Sequence, residues 1–338
     1  MKRTVSLIAF SCFFLSVFMC ASGFGQEKKF VIRYVHQHPS NYSYYKGVEQ
    51  FAASVEKKSN GRVKFEVYPA SQLYKPSEIV KAVTSGDVEM GHCVQDEWGL
   101  VFPLANIFTQ PFLVTTQELR TELTKGKLSE AIAKEMTKAG AKPLFWMPFD
   151  YVSVFLNNKR PLRTPKDFQG LLIRTTPGTM AMVEALGAKA VRLNVDDVYM
   201  AMQRGTVDGT WTGPSTVINR KWHEVSKYAT FVEMVTIYNV AFVNVNFWNK
   251  LPADLQNIIM GAGDEAEKWV EDVCVKEQND AIELIKKKSQ AIILTPQETD
   301  PWELATQMVV QNYEKKGGPE IKAAVEELNR LRVRLKKK

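Results

Sequence analysis

Gly170-Leu171-Leu172-Ile173-Arg174 reads as a short buried strand that ends in a permanent charge. Three apolar residues in a row suit a strand covered on both faces, as in a parallel sheet. In open α/β folds, ligands sit outside the carboxyl ends of such strands. Arg174 thus stands where a ligand would, with a planar donor fork that matches a carboxylate two hydrogen bonds at a time. The stretch points to an α/β protein that grips a small organic acid. It leaves open whether the acid is transformed or carried.

The pattern around this strand supports that class. Before it, Leu144 to Met147 and Val152 to Leu156 read as strands, and Thr164-Pro-Lys-Asp167 reads as a helix start with Pro inside the cap. After it come a helix near Thr179 to Leu186, a strand from Ala190 to Leu193, a helix from Asp196 to Gln203 and a strand from Val207 to Thr212. The first half repeats the alternation: strand Lys29 to Val35, helix Tyr44 to Lys58, strand Arg62 to Val67, helix Pro76 to Ser85, then a strand through His92. Strand–helix alternation predicts parallel sheets built from βαβ units. Val240 to Val245 is β-rich. Pro252 to Ser289 is helical, with Leu255, Ile258, Ile259, Ala262, Ala266 and Val270 on one stripe. A helix of that length suits a crossing between two lobes.

The ends carry separate signals. Lys2 and Arg3 precede an apolar run from Val5 to Met19, and Gly23-Phe24-Gly25 fits a cleavage site before Gln26. This is the pattern of a secretory signal peptide, residues 1–25. The run is short for a membrane span. The remaining chain of about 313 residues has room for two lobes. Cys93 and Cys274 lack metal-ligand spacing and are expected to be free and buried. Loss of the leader lowers the net charge from +7 to +5, and six of the remaining positive charges lie in Arg330 to Lys338, which holds no acid. The body is then close to neutral, which excludes a global basic field for nucleic acid. The tail itself reads as a solvated helix end.

Several motifs stand in a telling order: Ser59-Asn-Gly-Arg-Val-Lys-Phe-Glu-Val-Tyr-Pro69, Gly86-Asp-Val-Glu-Met-Gly91, Asn157-Asn-Lys-Arg-Pro-Leu-Arg163, Gly170-Leu-Leu-Ile-Arg174, Ala185-Leu-Gly-Ala188 and Val198-Tyr-Met-Ala-Met-Gln-Arg-Gly-Thr-Val-Asp-Gly209. With them the chain resembles the solute-binding proteins of tripartite ATP-independent periplasmic (TRAP) transporters, of the C4-dicarboxylate-binding type. The resemblance covers nearly the whole chain after the leader. It implies an α/β, two-lobed periplasmic binding protein fold with a ligand cleft between the lobes and a long C-terminal crossing helix. Residues 26–148 would form lobe I and 149–236 lobe II, with crossing strands and helices shared in 237–338. The implied function is capture of a small organic acid in the periplasm and delivery to a TRAP-type permease, by a monomer without cofactor or catalytic residues. A sensor subunit for a receptor kinase and a secreted hydrolase or lyase are the rival readings.

The resemblance also ranks residues. Arg174 matches the family's carboxylate-pairing Arg, and Thr210-Trp211-Thr212-Gly213-Pro214 matches a cleft-lining segment. Many members place Asn where this chain has Gly213, and some carry a second Arg near what is here Ser153. Both departures weaken the case for a highly polar ligand, and Trp211 with Tyr151 and Phe149 leaves room for an apolar acid. Tyr238 and Asn239 precede a β-rich run at a return crossing. Asp96-Glu97-Trp98 follows a strand end, so Trp98 is a further candidate for the cleft wall. His36 and His38 are two apart and share a face in an extended segment, with His92 a possible third ligand. No acid or thiol stands beside them and Pro39 suggests a loop, so His36 is assigned to the cleft and no metal is expected. Asp196-Asp197 reads as a helix cap.

Overall fold

The computed structural model describes residues 28–335, so the leader and the last three lysines lie outside the described residues. Two sheets organise the chain. β1 (Phe30–His36) alternates buried and open positions, and α1 (Ser43–Lys58) covers its inner face with Val48, Phe51 and Val55. β2 (Val63–Tyr68), α2 (Pro76–Ser85) and β3 (Met90–Val94) follow, and β2 and β3 both pair parallel to β1. After two short 3-10 helices, Gln95–Leu100 and Pro103–Thr109, come α3 (Gln117–Lys125), α4 (Lys127–Lys138) and the ten-residue β4 (Ala141–Asp150).

The chain then passes straight into the second sheet through β5 (Ser153–Asn157). There β6 (Leu172–Thr175), α5 (Met180–Ala185), β7 (Lys189–Arg192), α6 (Val198–Gln203), β8 (Gly209–Thr212), α7 (Pro214–Asn219) and β9 (Tyr228–Val232) complete most of it. β10 (Ile237–Asn244) returns to the first sheet, and a one-turn α8 (Val245–Trp248) leads to α9 (Ala253–Lys288). β11 (Gln290–Ile293) joins the second sheet before α10 (Pro296–Lys316) and α11 (Gly318–Leu335). The strand orders are β2-β1-β3-β10-β4 and β11-β9-β5-β8-β6-β7.

Neither sheet is all parallel, which corrects the expectation. β10 runs antiparallel to β3 and β4, and β5 runs antiparallel to β8 and β9. The cause is the double crossing. β4 and β9 run toward the junction of the sheets, so the strands that leave it, β5 and β10, must run the other way. Strand–helix alternation in a sequence does not register this reversal.

α9 has 36 residues, about 54 Å at 1.5 Å per residue. Its first half lays Leu255, Ile259, Ala262 and Ala266 against the first sheet, and Ile285 near its end packs with the second sheet's core. The helix thus spans both sheets, close to the bounds read from its stripe. α11 is anchored by buried Ile321, Ala324, Val325 and Leu328, while the described part of the basic tail, Arg330 to Leu335, is exposed or half-buried. Cys93 and Cys274 are free and buried.

Candidate ligand-binding site

The carboxyl ends of the two sheets face each other across a narrow cavity of about 50 Å³. Gln37, Val94, Phe149 and Ile237 enter it from the first sheet, and Arg174, Thr176, Asn194, Trp211 and Thr216 from the second. A wider mouth of about 360 Å³ shares Glu97, Arg174 and Thr176 with it and adds Arg192 and Asp197. Larger hollows exist, such as one of about 640 Å³ between β9, β11 and α9, but Arg174 does not line them. The small cavity is the candidate because it lies where α/β sheets hold ligands and contains a buried cation.

That cation is Arg174. β6 places it between β7 and β8, and only 4% of the residue is exposed. Its Nε donates to the Leu193 carbonyl at 3.0 Å, which fixes the plane of the guanidinium. No described residue accepts a hydrogen bond from its terminal nitrogens. Burial draws its pKa down to about 10, opposed by Asp96 and Glu97, so it stays charged at neutral pH. The geometry offers two parallel donors to an incoming carboxylate.

Two acids stand close to this charge. Asp96 is 1% exposed, and burial raises its pKa while the Thr176 hydroxyl, Arg174 and the Gly178 backbone pull it down. Glu97 lines both the cavity and its mouth. Burial first, then Asp96, pushes it up to about 7 against the pull of Arg192 and Arg174. Arg192 approaches Glu97 Oε2 only to 3.8 Å.

Asp150 ends β4 without any exposure and accepts from Ser215 Oγ at 2.9 Å and Ser215 N at 3.3 Å. Burial holds its carboxyl well above the usual range. A methyl group at Gly213 would overlap the Asp150 carboxylate. Gly213 has an ordinary φ of −92°, so the requirement there is space, not conformation.

Polar contacts also join the sheets beside the cavity. Arg220 Nη2 donates to Gln37 O at 2.9 Å and Nη1 pairs with Asp196 at 2.7 Å, while Ser71 Oγ donates to the same Asp196 at 2.8 Å. Asn41 donates to Asn219 O at 2.9 Å. Asp196 therefore links the two halves. Neither it nor Asp197 caps α6 with its side chain, contrary to expectation. Gly178 permits another close approach, since a Cβ there would lie 2.7 Å from Asp96 Cβ.

His36, His38 and His92 do converge, with nitrogens within 4.8 Å of one another. Part of their bonding is internal, while His36 Nε2 and His38 Nε2 have no hydrogen-bond partner among the described residues. His38 Nδ1 faces His92 Nε2 at 2.8 Å, and Tyr34 Oη faces His92 Nδ1 at 3.0 Å. His36 lies over His92 with centroids 4.6 Å apart and planes 14° apart. In-plane lone pairs of stacked rings run side by side and do not meet at a point. Burial lowers all three pKa values, His36 to about 3, so the rings are neutral.

The expected site residues separate into groups. Arg174, Trp211 and Phe149 line the cavity, and Gly213 begins α7 beside it. His36 lies next to the lining Gln37, inside the histidine group. Asn239 pairs with Val94 and Met147 in the first sheet, fully buried, and no described residue bonds its side-chain amide. The remaining three lie in another layer. Trp98 packs on Phe102 and Phe242, Tyr238 on Phe108, and Tyr151 under Arg120 at 4.0 Å. The sequence reading passed over Gln37, Thr176, Asn194, Thr216 and Asp150. The first three stand one or two residues beyond the ends of β1, β6 and β7, a position that could have been counted from each predicted strand.

Residues 34–316 match the model of the family described as bacterial extracellular solute-binding protein, family 7. The C4-dicarboxylate-binding periplasmic protein DctP of Rhodobacter capsulatus is 30% identical over 304 residues, 87% of this chain and 90% of its own length. The C4-dicarboxylate-binding protein DctB of Bacillus subtilis is 23% identical over 312 residues, 91% of this chain and 88% of its own. Among solved structures, a TRAP periplasmic solute-binding protein of Sulfurospirillum deleyianum with bound succinate superimposes with a TM-score of 0.82 at 24% identity, covering 89% of this chain and 99% of that one. DctP7 of Bordetella pertussis, an extracytoplasmic solute receptor binding pyroglutamic acid, gives 0.83 at 20% identity over 89% and 99% of the two chains.

Proposed function

This chain belongs to the bacterial extracellular solute-binding proteins of family 7, and on that premise we propose that it captures a small organic acid through Arg174 and delivers it to a TRAP-type permease. The family binds solutes and does not transform them, so neither a hydrolase nor a lyase is favoured. The observation that carries the reading is a buried guanidinium that lines a cavity between the sheets, with one nitrogen tied to Leu193 O and no acceptor on its terminal nitrogens among the described residues. The ligands named for the related proteins, succinate and pyroglutamic acid among them, each offer a carboxylate to such a group.

The working cycle follows from the two-sheet arrangement. Lobe I is residues 26–148 and lobe II is 149–236, with the leader removed near Gly25 in the periplasm. In the open state Arg174 and Trp211 stand on lobe II, apart from Gln37 and Val94 on lobe I. A ligand that touches both walls binds the closed form more tightly and shifts the hinge equilibrium toward it. The closed surface is what the permease recognises. The short connections between β4 and β5 and between β9 and β10 are the hinge.

A thermal-shift panel of small acids tests the reading. A ligand at 100 times its dissociation constant adds about 2.7 kcal/mol of stability. At least one acid should raise the melting temperature of the wild type and leave Arg174→Ala unmoved. A panel in which only neutral sugars or inorganic cations shift the melt contradicts the proposal.

A further inference from the structure

The charged side chains that line the cavity and its mouth are matched in number, Arg174 and Arg192 against Glu97 and Asp197. We propose, resting on the acid-binding reading above, that the ligand is a small zwitterion whose carboxylate is held by Arg174 and whose cationic nitrogen is received by Glu97.

Three observations carry this. The Glu97 side chain is only 10% exposed, its Oε2 has no hydrogen-bond partner among the described residues, and it lines the same cavity as Arg174. A buried carboxylate oxygen needs a proton or a donor, and a ligand ammonium supplies the donor. Second, Arg174 is the one cation among the described residues lining the inner cavity. Arg192 stands in the mouth, 44% exposed and already drawn toward Glu97. A second ligand carboxylate would find no second cation there and would meet Glu97, whose like charge opposes it. Third, Phe149 and Trp211 present aromatic surface to the same small space, which suits a cationic nitrogen as well as an alkyl chain.

Charge completes the argument. With Glu97 ionised, a monoanion entering this narrow cavity leaves a net negative charge, whereas a zwitterion leaves the balance unchanged. Both Asp96 oxygens also lack a hydrogen-bond partner among the described residues, but Asp96 lines neither the cavity nor its mouth, so Glu97 is the acid placed to receive a ligand. Burial and Asp96 hold Glu97 near its midpoint at neutral pH, and a neighbouring ammonium would return it to the charged form.

The test compares butyrate, succinate, 2-aminobutyrate and 4-aminobutyrate by calorimetry on the full exported chain. Two aminobutyrates are used to sample the spacing of the charges. One of them should bind at least tenfold more tightly than butyrate, with succinate weaker still. Glu97→Gln should weaken that aminobutyrate by tenfold or more and strengthen butyrate, reversing the preference. A merely structural Glu97 would weaken both together. Tighter binding of butyrate or succinate by the wild type, binding of none of the four, or equal losses in Glu97→Gln overturns the inference. The wild-type comparison stands whether or not the variant folds. Acid binding that depends on Arg174 but avoids the aminobutyrates would sink this inference alone, whereas acid binding indifferent to Arg174 would sink the function as well.

Discussion

At the scale of single residues, the site is a set of close fits around buried charge. Gly213 is one of them. The family position that often holds Asn is here emptied of side chain, and the Asp150 carboxylate of the other strand fills the space. Gly213→Ala should cost about 1–3 kcal/mol by overpacking, read as a lower urea midpoint at unchanged slope. Removing the Asp150 side chain in the same protein should recover part of that loss. Strict additivity of the two substitutions would show that they do not share the space. Arg174 was legible in the sequence because an apolar strand ending in Arg says both where the side chain is and what it can bind. Asp150 was not, because its meaning depends on Gly213 and Ser215, more than sixty residues away.

At the scale of elements, the ends of β1 and α7 are tied together. Arg220 just beyond α7 reaches the Gln37 carbonyl just beyond β1, and Asp196 before α6 holds both Arg220 and Ser71. In the proposed cycle these bonds form only when the lobes come together, so they stabilise the closed form. Arg220 is largely buried and Asp196 about a third exposed, which discounts the pair for solvent screening. Arg220→Ala should weaken ligand affinity by about 1–2 kcal/mol, a factor of about 5–30, chiefly through faster release. Stopped-flow dissociation measures this, and an unchanged off-rate would remove the latch role. Element types were readable wherever the period was long or the strand ends were marked, as in α1, α2 and α9. Facing was harder. Trp98 and Tyr238 follow or begin strands at the cleft end, yet they pack into the layer behind, and strand position alone does not tell the two faces apart. The antiparallel β5 and β10 were hidden for a related reason, since a crossing reverses direction without changing composition.

At the scale of the whole molecule, the interior stores neutral histidines. His36, His38 and His92 are depressed by burial, His36 to about 3, against an unfolded value of about 6.5. Between those values the unfolded chain binds more protons than the folded one, so stability rises with pH and is lost as pH falls below about 6.5. Asp150, Asp96 and Glu97, all raised by burial, act in the opposite sense, since their folded forms keep protons that the unfolded chain gives up above about 4. Rings and acids therefore oppose each other between about pH 6.5 and 5, and the histidine share is read from the difference between the wild type and His36→Gln. The substitution should lower the slope of stability against pH by up to about 1.4 kcal/mol per pH unit. A slope unchanged by the substitution would mean that the histidine group is not the source.

The central claim is that Arg174 holds a carboxylate in the cleft between the sheets. Calorimetric titration of the best-binding acid from the thermal-shift panel into the wild type and Arg174→Ala tests it most directly. The account predicts an intact fold by circular dichroism and a loss of about 2–5 kcal/mol in binding, because a buried carboxylate is left without its partner. Equal affinities for the two proteins would contradict it.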